Sequence, residues 1–150
     1  MTDGPTSAEL LGRLAHEMQH PPFHDFLRPV AKSVDAGSGA ITVTLAFRPE
    51  FGRSSASPGI HGGVLASLID LAGHAAVAVR IGRTAPTIDL RIDYLRAAGE
   101  VDLTATAHIV RAGRTVAIVD VEVTDPQERL IAIGRGAFST AVRLSTTNLT

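Results

Sequence analysis

Apolar positions first recur at helical spacing at Leu10, Leu11, Leu14 and Met18, with Thr6 or Ser7 placed as an N-cap and Pro21-Pro22 stopping the run. This predicts a short amphipathic helix over about residues 6–20. A weak extended stretch follows near Phe26 to Val34. A clearer one sets Ile41, Val43, Leu45 and Phe47 against Thr42, Thr44 and Ala46, with Asp35 to Gly39 as the turn between the two. Residues 48–60 are rich in Gly, Pro and Ser and read as an irregular loop running into His61. From about Gly62 to Arg80 the chain is apolar on nearly every helical face, which marks a buried helix. Its many Ala and Gly residues let a neighbouring backbone approach closely. Gly73 in a helix interior costs ~1 kcal/mol relative to Ala, so close packing is the reason expected for it.

After Pro86 the period changes to two. Ile88, Leu90, Ile92 and Tyr94 face one way and Thr87, Asp89, Arg91 and Asp93 the other, a strand with one wet or partner-facing side. Further strands are expected at Val101 to Val110, Thr115 to Thr124 and Leu130 to Ala141, separated by turns at Ala112-Gly113 and Asp125-Pro126-Gln127-Glu128. Short turns make antiparallel neighbours. Helix, two strands, long buried helix and four strands describe an α+β domain in which an antiparallel sheet packs on a central helix.

Composition narrows the classes without changing this picture. The chain has 150 residues, 45% of them hydrophobic and 19% charged, which suits one folded domain spanning 1–150. A net charge of −1 with scattered Arg gives no basic stripe, so no nucleic-acid partner is expected. The absence of Cys removes disulfides, thiolate metal sites and thiol nucleophiles. Met1 to Ala8 has neither a basic start nor an apolar core, and no run approaches ~18 apolar residues without a charge. The expectation is a cytoplasmic protein with no membrane partner. No repeat at ~20–50 residues is present.

The element order, together with His61-Gly62-Gly63-Val64-Leu65-Ala66-Ser67-Leu68-Ile69-Asp70, resembles the hotdog-fold thioesterases of the phenylacetic-acid-degradation (PaaI-like) group. Arg48-Pro49-Glu50, Asp93-Tyr94-Leu95-Arg96, Ala112-Gly113-Arg114-Thr115 and Leu130-Ile131-Ala132 are further matching pieces. The resemblance spans nearly the whole chain. It implies a hotdog fold, with the sheet wrapped around the long helix. It also implies a homodimer with a continuous sheet, pairing of dimers into a homotetramer, and two active sites per dimer at the interface. The implied substrates are acyl-coenzyme A thioesters, aromatic or aliphatic, with no cofactor beyond the coenzyme A that the substrate carries.

Thioester hydrolysis needs a donor for the charge developing on the carbonyl oxygen, and a base for water or a nucleophile for the acyl carbon. Backbone N–H groups at a helix start are unpaired and carry the positive end of the helix dipole, so the Gly62 N–H can polarise a carbonyl. Gly62 and Gly63 also let a substrate approach the backbone closely. Asp70, between Ile69 and Leu71, is costly in an apolar helix unless it has a partner or a task. It stands nine residues after His61. That is roughly 13 Å along the axis, and on a different face. One helix cannot bring both ends of this motif to one thioester; a second subunit's Asp70 can meet the first subunit's Gly62. The residues leave open whether Asp70 activates water or attacks directly. His61 either fixes the loop as a cap-region residue or touches the substrate.

Two positions depart from the family pattern. Ser55 stands six residues before His61, where relatives carry Asn or Gln to hold the nucleophilic water or the substrate. His74 stands four residues after the acid, where Ser or Thr is common. That spacing puts His74 on the stripe of Asp70, where it either tunes or assists the carboxylate or is a satisfied residue near the subunit contact. Two ligands without a third make an Asp70/His74 metal site an unfavoured reading. Arg96, Arg111 and Arg114, at strand ends or turns, are candidates for the coenzyme phosphates or are solvated surface charges. Gly113 is expected to supply a hairpin turn conformation. Two alternatives remain alongside the thioesterase: a hotdog enoyl-CoA hydratase or dehydratase, with Asp70 and His74 as its catalytic pair, and a non-catalytic acyl-CoA-binding module, favoured by Ser55.

Overall fold

A computed structural model describes residues 4–142. Helix α1, Ser7–Gln19, is closed at its start by a capping box. The Thr6 hydroxyl accepts from the Glu9 N–H, and the Glu9 carboxylate accepts from the Thr6 N–H at 2.7 Å. The expected extended stretch at Phe26 to Val34 is corrected. Pro22–Leu27 forms a second helix, α2, and strand β1 spans only Val30–Val34. Pro21-Pro22 ends α1, but proline also suits the first position of a new helix, where its fixed φ is already helical and its missing N–H is not needed. Arg28, in the left-handed region at φ 58°, turns the chain out of α2.

Strand β2 spans Ile41–Leu45. The loop that follows holds a 3-10 turn at Pro49–Phe51 and is tied down at its end: the Ile60 N–H donates to Ala98 O at 3.1 Å and the His61 N–H to Phe51 O at 2.8 Å. Gly59, at φ 140°, is needed there, because a Cβ would lie 2.6 Å from the Ala98 carbonyl oxygen. Helix α3, Gly62–Ile81, ends on Gly82 in the left-handed conformation at φ 72°. Strands β3 (Thr87–Tyr94), β4 (Leu103–Ala112), β5 (Val116–Thr124) and β6 (Leu130–Ser139) complete the chain, each within two residues of its expected limits. Gly113 lies in the β4–β5 hairpin as expected, where its N–H donates to Val116 O at 2.9 Å. Its φ is not in the left-handed region; instead, a Cβ would sit 2.9 Å from Val116 O, so close backbone approach requires glycine there.

The six strands form one antiparallel sheet in the order β1-β2-β4-β5-β6-β3. β2 and β5 alternate buried and partly exposed positions, as expected of strands with one face on a core. That face packs on α3, in which Leu68, Ile69, Ala72, Ala75 and Val77 have no exposure. By length and composition α3 passes as a membrane span, with mean hydropathy 1.6, but 61% of that stretch is buried by α1 and the sheet. The close approach expected at Gly73 is present: the Phe138 ring lies where a Cβ would stand, 2.6 Å from it. The two edge strands, β1 and β3, depart from one-sided burial, and β3 is the longer. It lies at a sheet edge, none of its eight residues is buried, and Ile88 and Tyr94 are more than half exposed.

Candidate active site

The first turn of α3 leaves the Gly62 backbone donor without an acceptor among the described residues. His61 is the N-cap, and its Nδ1 accepts from the Gly63 N–H at 2.9 Å. The cap-region role is therefore the one His61 occupies, and the Gly63 N–H is engaged. The Gly62 N–H has no acceptor among the described residues, and it sits at the positive end of a 20-residue helix. Across from it the Tyr94 hydroxyl donates to Gly62 O at 3.0 Å, with the phenol ring in van der Waals range of Gly62. Gly62, Leu65, Tyr94, Arg53 and Arg96 line a cleft of about 330 Å³. Arg53 braces its rim by donating to Ser57 and Pro58, whereas Arg96 donates no side-chain hydrogen bond among the described residues.

Asp70 lies at the other end of β3. Its Oδ1 accepts from the Thr87 hydroxyl at 2.8 Å, and the carboxylate is only partly buried. Both ends of the motif thus touch the same strand, Gly62 at Tyr94 and Asp70 at Thr87. Separation along that strand is what keeps them apart. Eight helical residues put Gly62 and Asp70 roughly 12 Å apart along the axis, too far to share one thioester.

His74 is not in hydrogen-bond contact with Asp70. Its Nε2 accepts from the Ala85 N–H at 3.3 Å and lies 3.3 Å from the Thr84 hydroxyl, while Nδ1 is 3.8 Å from a Glu17 carboxylate oxygen of α1. An Nε2 that accepts an N–H bears no proton, so the network assigns the proton of the neutral ring to Nδ1, facing Glu17. Burial holds the imidazole below its ordinary value of 6.5, against the opposing pull of Glu17 and Asp70; His24 adds to the lowering. Among the described residues no three His, Asp or Glu side chains converge as a metal site.

The remaining predicted residues are not gathered with Gly62 inside one protomer. Ser55 is exposed and lines a separate cleft with Phe47, Pro49 and Glu100. Arg111 and Arg114 are exposed at the β4–β5 hairpin. The hairpin end is in register with Thr87 through Ala112, Ala117 and Phe138, so these arginines belong to the Asp70 end of the sheet. A cleft of about 740 Å³ between α1 and the end of α3 contains neither Gly62 nor Asp70. Tyr94, Thr87 and Glu17 were not among the predicted site residues. Tyr94 is the chain's one tyrosine and lies in a matching segment, which was the available signal; for Thr87 and Glu17 local sequence held none.

The family model of the thioesterase superfamily matches residues 59–132, a stretch that contains His61, Gly62, Gly63 and Asp70. The acyl-coenzyme A thioesterase PaaI of Escherichia coli is 34% identical over 106 residues, covering 69% of this chain and 71% of that one. A Halobacterium salinarum protein whose name assigns it only to the esterases is 34% identical, with 77% and 83% covered. The medium/long-chain acyl-CoA thioesterase YigI of Escherichia coli is 36% identical, but the match takes in only 53% of this chain and 61% of YigI. Among solved structures, one from the thioesterase superfamily aligns with TM-score 0.81 and 31% identity over 89% of this chain and 98% of that one. The PaaI crystal structure aligns with TM-score 0.78 over 92% of this chain and all of PaaI; at 24% identity that alignment speaks to the fold alone. The antiparallel sheet and the long buried helix agree with the aligned structures, and the chain belongs to the thioesterase superfamily.

Proposed function

We propose that this protein hydrolyses acyl-CoA thioesters at a site shared by two subunits. The observation that carries this reading is the placement of a free helix-start donor, Gly62 N–H, and an anchored carboxylate, Asp70, at opposite ends of the edge strand β3. Antiparallel pairing of β3 with its copy about a two-fold axis near Leu90-Arg91 brings Tyr94 of one subunit beside Thr87 of the other. The same pairing sets Gly62 against Asp70 of the partner subunit, extends the sheet and covers the exposed Ile88 and Tyr94.

In that composite site the Gly62 N–H and the helix dipole stabilise the negative charge that grows on the thioester oxygen. Thr87 occupies one oxygen of Asp70 and leaves the other for chemistry. As a base, Asp70 takes a proton from water, the water oxygen bonds to the acyl carbon, the carbon–sulfur bond breaks and the thiolate of coenzyme A takes up the proton. As a nucleophile, an Asp70 oxygen bonds to the acyl carbon, the carbon–sulfur bond breaks and coenzyme A leaves as its thiolate; water then opens the mixed anhydride, restoring the Asp70 carboxylate, releasing the acid and giving a proton to the thiolate. Label found in Asp70 after a single turnover in ¹⁸O-water identifies direct attack with water entering at the aspartyl carbon. Arg96 from one subunit, with Arg111 and Arg114 from the other, supplies cations on both sides for the phosphates of coenzyme A.

The hydratase alternative requires a catalytic imidazole, and the His74 nitrogens are directed at Glu17, the Thr84 hydroxyl and the Ala85 amide. A non-catalytic module would bind acyl-CoA without turnover. Thiol release from a panel of aromatic and aliphatic acyl-CoAs, with wild type and Asp70→Asn in parallel, decides among these. We expect hydrolysis by wild type and a loss in kcat of at least roughly 100-fold in the variant. No thiol release across the panel, or an unchanged rate in Asp70→Asn, overturns the proposal.

A further inference from the structure

His74 occupies a position that the proposed chemistry does not use. It is partly buried, carries no bond to the substrate-facing groups, and links three elements: Glu17 on α1, its own helix α3, and the Thr84–Pro86 segment that leads directly into Thr87. Thr87 in turn holds Asp70. A continuous set of contacts therefore runs from Glu17 through the imidazole to the Ala85 amide, and along three residues of backbone to the hydroxyl that orients the carboxylate.

We propose that neutral His74, oriented by Glu17, is a positioning residue that anchors the Thr84–Thr87 segment and so holds Asp70 in place, and that protonating the imidazole disarms the site. The chemistry of the ring carries the second half. Nε2 accepts from the Ala85 N–H only while it is unprotonated. A proton there sets two donors against each other, and the anchor is lost. The titratable groups that bear on the ring are Glu17 on α1, His24 on α2 and Asp70 on α3; the Thr84–Ala85 segment presents only a hydroxyl and an amide. Glu17 and Asp70 favour the charged ring, and burial with His24 outweighs them, so the imidazole is neutral near pH 7 and titrates below 6.5. This inference rests on the thioesterase reading for its rate measurements, but the anchor itself is observable without turnover.

The rate experiment is the pH profile of kcat and KM. Wild type should lose kcat on an acid limb below pH 6.5 with little change in KM. His74→Leu should lower kcat roughly tenfold at pH 7.5, with KM within about twofold, the behaviour of a misplaced rather than a missing catalytic group. His74→Gln can offer its side-chain oxygen to the same amide without titrating. It should recover most of that loss and abolish the limb. Glu17→Gln removes a carboxylate that favours the charged ring, and should move the limb to lower pH. The second measurement is NMR on wild type and on Asp70→Asn: the Ala85 and Thr87 amide resonances should titrate with the His74 ring. An acid limb unaltered by both His74→Gln and Glu17→Gln, or amides that do not follow the ring, overturns the proposal. If wild type hydrolyses no acyl-CoA, the functional reading fails on its own, and the amide titration still decides whether the anchor exists.

Discussion

Tyr94 is the residue whose removal tests the proposed oxyanion donor most directly. Its hydroxyl donates to Gly62 O, and its ring lies 3.4 Å from where a Cβ on Gly62 would stand. Both contacts fix the peptide planes around the donor, and a donor aimed at a transition state is effective only when it is already oriented. Tyr94→Phe keeps the ring and removes one neutral hydrogen bond. We expect kcat/KM to fall about three- to tenfold, the equivalent of roughly 0.5–1.5 kcal/mol, with the fold unchanged by circular dichroism. A variant as active as wild type would show that the hydroxyl does not orient the turn. His61 shows the complementary case at the same turn: by accepting the Gly63 N–H it engages one helix-start donor, whereas the Gly62 N–H has no acceptor among the described residues.

Among the elements, α3 depends on the absence of side chains as much as on their presence. Gly73 and Gly136 both abut the Phe138 ring, each with less room than a methyl group needs, and Phe138 is fully buried. Placing Ala at position 73 improves intrinsic helix propensity by about 1 kcal/mol. It also forces a methyl group into a ring that cannot swing aside, and such overpacking costs about 1–3 kcal/mol. The steric cost wins. Gly73→Ala should lower stability by up to about 2 kcal/mol in urea unfolding, whereas a gain in stability would show that the sheet can move off the helix. The same closeness brings β3 near enough for Thr87 and Tyr94 to reach Asp70 and Gly62, so the packing of small residues underlies the geometry of the site.

For the whole molecule, the proposed site predicts a result that no single subunit can produce. Gly62→Pro removes the backbone donor while suiting the first position of a helix, and His61 already has the extended conformation that precedes proline. Asp70→Ala removes the carboxylate. Each variant alone should be inactive. Random exchange of the two gives a mixed dimer, half of the population, with one complete site of two, so activity should recover to about a quarter of wild type. Mixtures that stay inactive under conditions of proven subunit exchange would place both groups in one subunit's site and sink the composite arrangement.

Much of this was legible in local pattern, because burial imposes a period that the chain must display. The alternation in β2 and β5, the uniformly apolar run of α3, its small residues and the axial distance between Gly62 and Asp70 follow from residue order and helix dimensions alone. Local pattern failed where proline acts in two senses, ending α1 and opening α2 in the same pair of residues. It was silent on partners far apart in sequence. Thr87 meets Asp70 across 17 residues and Tyr94 meets Gly62 across 32, and neither spacing has a periodic signature. Those contacts exist because β3 joins the sheet beside β6, across α3 from the strands that precede it, and strand order is decided by long-range pairing. His74 marks the boundary between the two kinds of information. Residue order places it on the stripe of Asp70; only the packing of α1 and the Thr84–Ala85 segment against α3 turns its ring to Glu17 and the Ala85 amide.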